Sequence, residues 1–222
     1  MLAIAGGKGG CGKTTTTLGL AGALARRGFD PLVVDGDCDM PDVHHRVGLD
    51  RPGGIDSVAD GESLVTAVSH CTALPGVAIL TGGKRSSLDA ALRRAENWRG
   101  PVLVDCAAGT NPDSVRPLRY ADRSLVVSTD QPQCIEDAEM TRTIARRLSA
   151  PPAGVLLRMT TPHASGMLPD GWVVAGRIPP AESPLETPRV RHEYWSLSRE
   201  IFPLEVDSRA ERAGVTLSQQ RY

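Results

Sequence analysis

The chain has 222 residues, a formal net charge of −1, and is 41% apolar but only 4% aromatic. That length suits one α/β unit with a core of Val, Leu, Ile and Ala, and the balanced charge gives no global attraction to nucleic acid or to a membrane surface. Five cysteines, scattered and without a C-x-x-C pair, argue against a disulfide framework or a structural zinc site. No apolar run reaches membrane-spanning length and no leader pattern precedes the first strand, so a soluble, cytoplasmic protein is expected.

Met1 to Ala5 is a short apolar run and reads as a buried strand. Gly7, Gly12, Lys13 and Thr14 then satisfy G-x-x-x-x-G-K-[ST], the pattern of a phosphate-cradling loop. A helix is predicted from Thr14 to Arg27, with Leu18, Leu20, Ala21, Leu24 and Ala25 as its apolar residues and Gly28 ending it. Strand, glycine loop and helix are the context the motif requires. The glycines allow positive φ and close approach of backbone N–H groups to a phosphate, and the positive end of the helix dipole lies behind them. Lys13 is placed to reach the β- and γ-phosphates and the Thr14 hydroxyl to hold Mg²⁺. Only three lysines occur in the chain, and Lys8 and Lys13 both lie in this loop; elsewhere the chain uses Arg.

Pro31 to Asp35 is a second continuous apolar strand, as expected for a parallel strand covered on both faces. It ends in Asp35-Gly36-Asp37-Cys38-Asp39, with Asp42 close behind, and the carboxyl ends of such strands are where ligands sit. Asp37 is the acid singled out to orient a water or hold the metal shell. Short helices are expected at 43–48 and 63–69, around a Pro52-Gly53-Gly54 turn. His44 and His45 diverge on a helix and are expected at the surface. Val77 to Leu80 is a third strand, followed by a helix from Ser86 to about Trp98 capped by Ser86 or Ser87. Pro101 to Asp105 is a fourth strand, and Asp105-Cys106-Ala107-Ala108-Gly109 fits a second phosphate-facing segment, with Asp105 on the Mg²⁺ shell and Gly109 able to approach the γ-phosphate. A helix or turn at 111–120, a strand at Arg123 to Ser128, a helix from Gln133 to Leu148 with Arg142, Arg146 and Arg147 facing solvent, and strands at 154–158 and 172–178 complete the pattern. Strands alternating with helices imply a doubly wound, mostly parallel sheet with helices on both faces. Residues 1–202 are expected to form that unit and 203–222 a polar tail.

The stretch from Gly7 through Lys8, Gly9, Gly10, Cys11, Gly12, Lys13 and Thr14 to Thr15 resembles the deviant Walker A loop of the MinD/ParA family of P-loop ATPases. The likeness extends to the Asp35–Asp37 strand end, to Asp105–Gly109, to Ala121–Val127 and to Gly176–Pro179. It implies ATP and Mg²⁺ as cofactors, the loop residues Gly7 to Thr15 around the phosphates, and an ATPase that positions division machinery, chromosomes or other cargo. It also implies a homodimer in the ATP state, with Lys8 reaching the partner's phosphates, Lys13 acting in its own site, and Asp37 orienting the attacking water. Arg158 stands where the family carries an Asn that reads the adenine edge, and Pro179 where the family borders the base. An activator or cargo protein is implied but not named by the sequence. Two alternatives stay open: a DNA-binding partition module using Arg189, Arg191 and Arg199, and an iron–sulfur carrier of Mrp type, which needs a late cysteine pair where this chain's last cysteine is Cys134. The polar 209–222 stretch has no apolar stripe for a membrane surface. Cys11, Cys38 and Cys106 all fall near the phosphates, where a helix N-terminus would lower a thiol pKa.

Overall fold

The computed structural model describes residues 1–50, 54–160 and 168–203. Seven strands, β1 (Leu2–Ala5), β2 (Leu32–Asp35), β3 (Ala78–Leu80), β4 (Val102–Asp105), β5 (Arg123–Ser128), β6 (Pro152–Arg158) and β7 (Val174–Ile178), form one sheet in the order β3-β2-β4-β1-β5-β6-β7. Every neighbouring pair is parallel. The continuous apolar runs have their cause here: β1, β2 and β4 are buried at every residue.

Alternate residues feed two layers. Leu2, Ile4, Val33, Leu103, Leu125 and Val127 pack toward α1 (Lys13–Arg26) and α7 (Pro188–Ile201). On the opposite face Leu32, Val34, Leu80 and Val104 meet α3 (Gly54–Ala59) and α5 (Leu88–Ala95). Val126, Val155 and Leu157 meet Ala138 of α6 (Pro132–Arg147). Each fully buried Leu or Ile contributes on the order of 1.5–3 kcal/mol by leaving water. The helices α2 (Val43–Arg46) and α4 (Leu64–Ala67) are single turns in the connection from β2 to β3.

Several expectations need correction. The helix α7 was not read from the sequence, although Val190, Tyr194, Leu197 and Ile201 supply a buried stripe. Its ring-to-backbone seat is Gly19, where an added Cβ would lie 2.8 Å from Tyr194 Cζ. The helix α3 was likewise missed; of the expected Pro52-Gly53-Gly54 turn, Gly54 opens that helix with φ of 52°, while Pro52 and Gly53 lie outside the described residues, as does the tail from residue 204. Arg142 does not face solvent: it is 4% exposed, pairs with Glu139, donates to the Gly171 carbonyl at 3.2 Å and lies 5.2 Å from the Trp172 ring. A 3₁₀ turn at Arg85–Ser87 precedes α5, and Ser87 caps it without a side-chain hydrogen bond. His44 is buried, while His45 is exposed.

Candidate nucleotide-binding site

The loop between β1 and α1 is shaped by its glycines. Gly10 and Gly12 have φ of 77° and 91°, a region side chains avoid. Gly12 also lies against the Arg158 guanidinium, whose Cζ would be 2.8 Å from an added Cβ. The loop therefore wraps tightly onto the start of α1, whose first N–H groups receive no side-chain cap. Lys13 is 7% exposed and its ammonium donates to the Lys8 carbonyl at 3.1 Å, folding the side chain back along the loop. Lys8 is itself exposed.

Register brings the acids together. Asp35 and Asp105 are direct partners at the ends of β2 and β4. Thr17 donates its hydroxyl to Asp105 Oδ1 at 3.1 Å. Asp35 is fully buried and accepts from the backbone N–H groups of Asp37 at 3.2 Å and Val43 at 3.3 Å, which fixes the turn carrying Asp37. Asp37 Oδ1 accepts from the Met40 N–H at 3.0 Å. Burial and the neighbouring Asp105 push the Asp35 carboxyl up to about 7. Burial also pushes Asp105 up to about 6, against hydrogen bonds from Thr14 and Thr17 and the charge of Lys13. Two buried carboxyls side by side favour a cation or a shared proton.

A cleft of about 760 Å³ opens over this loop. Gly9, Gly10, Cys11, Gly12, Lys13, Thr14, Thr15, Asp37 and Arg158 line it, so nine of the expected site residues come together. Gly7, Lys8, Asp105 and Pro179 do not line it. Gly7 backs onto Asp137, where an added Cβ would lie 2.8 Å from the Asp137 carbonyl oxygen, and Asp105 sits beneath Thr17. Just past the end of β7 at Ile178, Pro180, Ala181 and Pro184 line the cleft beside the expected Pro179. Met40, Pro41, His45 and Arg46 on the acidic side and Met159 beside Arg158 are lining residues that sequence reasoning missed. Arg158 is 5% exposed and donates from a terminal nitrogen to the Gly12 carbonyl at 3.0 Å. Its Nε is buried without a hydrogen-bond partner among the described residues.

Burial opposes the expected lowering of the thiol pKa values. Burial raises Cys11, pushes Cys38 up to about 11, and raises Cys106 further. Desolvation of the thiolate outweighs the nearby Lys13. Among the described residues no group of three or more His, Cys, Asp or Glu side chains could hold a metal ion by itself. Mg²⁺ at a phosphate site needs no such cage, since it takes one or two protein oxygens with waters and phosphate. A Thr14 hydroxyl beside a buried, hydrogen-bonded Asp105 fits that demand.

Comparison with known proteins agrees with this geometry. An uncharacterised ATP-binding protein of Methanocaldococcus jannaschii is 31% identical over 166 residues, covering 71% of this chain and 63% of the relative. The septum site-determining protein MinD of a Synechocystis species is 27% identical over 150 residues, covering 63% of this chain and 56% of the relative. The matched regions thus span about three-fifths of the length of these curated relatives. Among solved structures, the septum site-determining protein MinD of Pyrococcus horikoshii, complexed with Mg-ADP, superposes with a TM-score of 0.76 at 20% identity, over 91% of this chain and 95% of that one. The family model of the CobQ/CobB/MinD/ParA nucleotide-binding domain matches residues 2–173, and this chain belongs to that family.

Proposed function

We propose that the chain is a Mg-ATP-dependent, dimerising ATPase switch of MinD/ParA type, which hydrolyses ATP to ADP and phosphate to position cell-division, chromosome or other cargo. The observation that carries this reading is the different exposure of the two loop lysines. Lys13 is buried in the cleft of its own chain, whereas Lys8 is exposed and outside it. An exposed lysine five residues from the phosphate lysine is free to serve a second copy. A cation delivered by a second copy stabilises charge developing on the phosphate only when two copies meet, which couples turnover to dimerisation. Met40 and Met159, exposed on the cleft walls, add apolar area there.

In this reading the loop from Gly7 to Thr15 cradles the phosphates and Lys13 neutralises them. Thr14, Asp105 and Asp37 would hold Mg²⁺, which would supply charge neutralisation to the phosphates. Asp37 orients the attacking water. Arg158 faces the base, with Pro180 and Ala181 in place of Pro179. A cytoplasmic location fits the lack, among the described residues, of any helix long and apolar enough to cross a membrane. The test is Lys8→Ala: ATP-dependent dimerisation is lost while nucleotide binding persists. An unchanged dimer and unchanged turnover in that variant would refute the role of Lys8.

One observation favours duplex DNA as the surface on which the switch acts. Arg26, Arg27 and Arg199 line a depression of about 600 Å³ with Trp195. Burial and Arg191 lower the Arg26 pKa, and burial and Arg199 lower that of Arg27, so four guanidinium groups are crowded there. None of the four forms an ion pair among the described residues. Duplex binding by this face would weaken steeply with salt, and Arg191→Ala would flatten the slope by about one phosphate contact.

A further inference from the structure

Two loops face the phosphate end of the cleft: the Asp37 turn after β2 and the segment after Asp105 at the end of β4. One side chain that belongs to neither joins them. Arg85 follows β3, and its two terminal nitrogens hold two different carboxylates. One is Asp39, at 2.5 Å, two residues from Asp37; the other is Asp113, in the segment that begins at Asp105.

Arg85 is anchored at its base. The Lys84 N–H donates to Asp56 Oδ1 of α3 at 2.8 Å, and an added Cβ on Gly83 would fall 2.6 Å from the Asp56 carboxylate. Arg116 donates to the Arg85 carbonyl at 3.2 Å, holds Asp113 Oδ1 at 2.9 Å, and comes within 3.9 Å of Asp89. Asp113 is held in turn by its own segment, since its N–H and that of Ser114 both donate to Asn111 Oδ1 at 3.0 and 2.9 Å. The bridge thus runs from a fixed support to one carboxylate on each loop, and the Arg116 contact with the Arg85 backbone steadies it on the side of Asp113. The planar fork of Arg can grip two carboxylates at once, and a lysine ammonium on a flexible stem cannot reproduce that geometry.

The geometry points to Arg85 as a positioning residue that ties the Asp37 turn to the segment after Asp105, so that the two loops facing the phosphates change state together. This inference rests on the nucleotide-switch reading above. Asp39, Asp113 and Arg85 lie outside the cleft lining, so they act through the loops and not on the nucleotide. The pairs are partly exposed, with side-chain exposures of 45% for Arg85, 65% for Asp39 and 35% for Asp113. Pairs of that kind are individually weak, so breaking the bridge should slow turnover by about three- to tenfold and leave the fold intact.

The experiment uses the full chain as wild type, Asp39→Asn, Asp113→Asn, the double variant and Arg85→Lys. Hydrogen exchange of residues 36–43 and 106–116 is followed by mass spectrometry with Mg-ADP and with Mg-ATP, beside kcat and KM for ATP. In the wild type both segments differ between the two nucleotides. In each single variant kcat falls while KM and the melting temperature hold, and residues 36–43 lose their nucleotide dependence even when the substitution is at Asp113. The double variant is no slower than either single one, because one break suffices, and Arg85→Lys fails to rescue. Multiplicative losses in the double variant, a wild-type response of residues 36–43 in Asp113→Asn, or full activity in Arg85→Lys would overturn the coupling while leaving nucleotide binding intact. A wild-type chain that binds neither nucleotide would overturn the switch reading and this inference with it.

Discussion

Arg158 donates to the carbonyl of Gly12 across 3.0 Å, joining the end of β6 to the turn that opens α1. The same carbonyl accepts the Thr16 N–H at 2.9 Å, so it closes the first helical turn and anchors the guanidinium at once. Gly12→Ala would put a Cβ into that guanidinium while holding φ at 91°. The strain is about 1–2 kcal/mol from the backbone alone, and displaced Arg158 adds to it. The variant should fold with a lowered urea midpoint and fail to bind nucleotide in calorimetry.

The chemistry of Arg158 sets a second expectation. A guanidinium offers donors only. It can pair with N7 and O6 of a 6-oxopurine but meets the 6-amino group of adenine donor to donor. Competition binding should show GTP within about threefold of ATP in the wild type, and Arg158→Asn should shift the ratio toward ATP by about tenfold, the effect of one well-placed base contact. An equal loss of both nucleotides in the variant would place Arg158 on the phosphates instead.

Gly19 is a packing requirement. It faces the Tyr194 ring, and that contact is the seat of α7 on α1. Gly19→Ala should cost about 1–3 kcal/mol by overpacking, and Tyr194→Ala about 3–5 kcal/mol by leaving a cavity. Urea unfolding at one pH measures both.

The buried acids predict a pH dependence with a definite sign. Asp35 is pushed up to about 7 and Asp105 to about 6. From about pH 4, the ordinary carboxylate range, up to those values, the folded chain holds protons that the unfolded chain has released. Stability contributed by the neutral carboxyls is complete below that range and is lost as pH rises through the folded values. The urea midpoint of the nucleotide-free protein should be higher at pH 5 than at pH 8, and Asp35→Asn should flatten the difference. A midpoint that climbs with pH would contradict the assignment.

What the sequence disclosed and what it concealed have a physical division. The glycine loop, the strands ending in Asp35 and Asp105, and the strand from Arg123 to Ser128 are encoded locally, by backbone demands and by burial on both faces. Those segments were legible residue by residue. The side-chain environments were not, because partners far along the chain decide them. Arg142 reads as a solvent-facing residue of α6 until Trp172 and Glu139 close over it. Arg85 shows no motif at all; only the sheet order brings Asp39 and Asp113 to it. The stripe of α7 was available in the spacing of Val190, Tyr194, Leu197 and Ile201, but arginines between them gave the stretch the look of a basic surface.

The central claim is that nucleotide state governs self-association. Light scattering of the chain would be measured with Mg-ADP, with Mg-ATP, and with Mg-ATP in Asp37→Ala. The account predicts a monomer with ADP and a species of twice the chain's mass with ATP, held longest in the variant because its water is no longer oriented for attack. A monomer in all three conditions, with ATP bound, would contradict it.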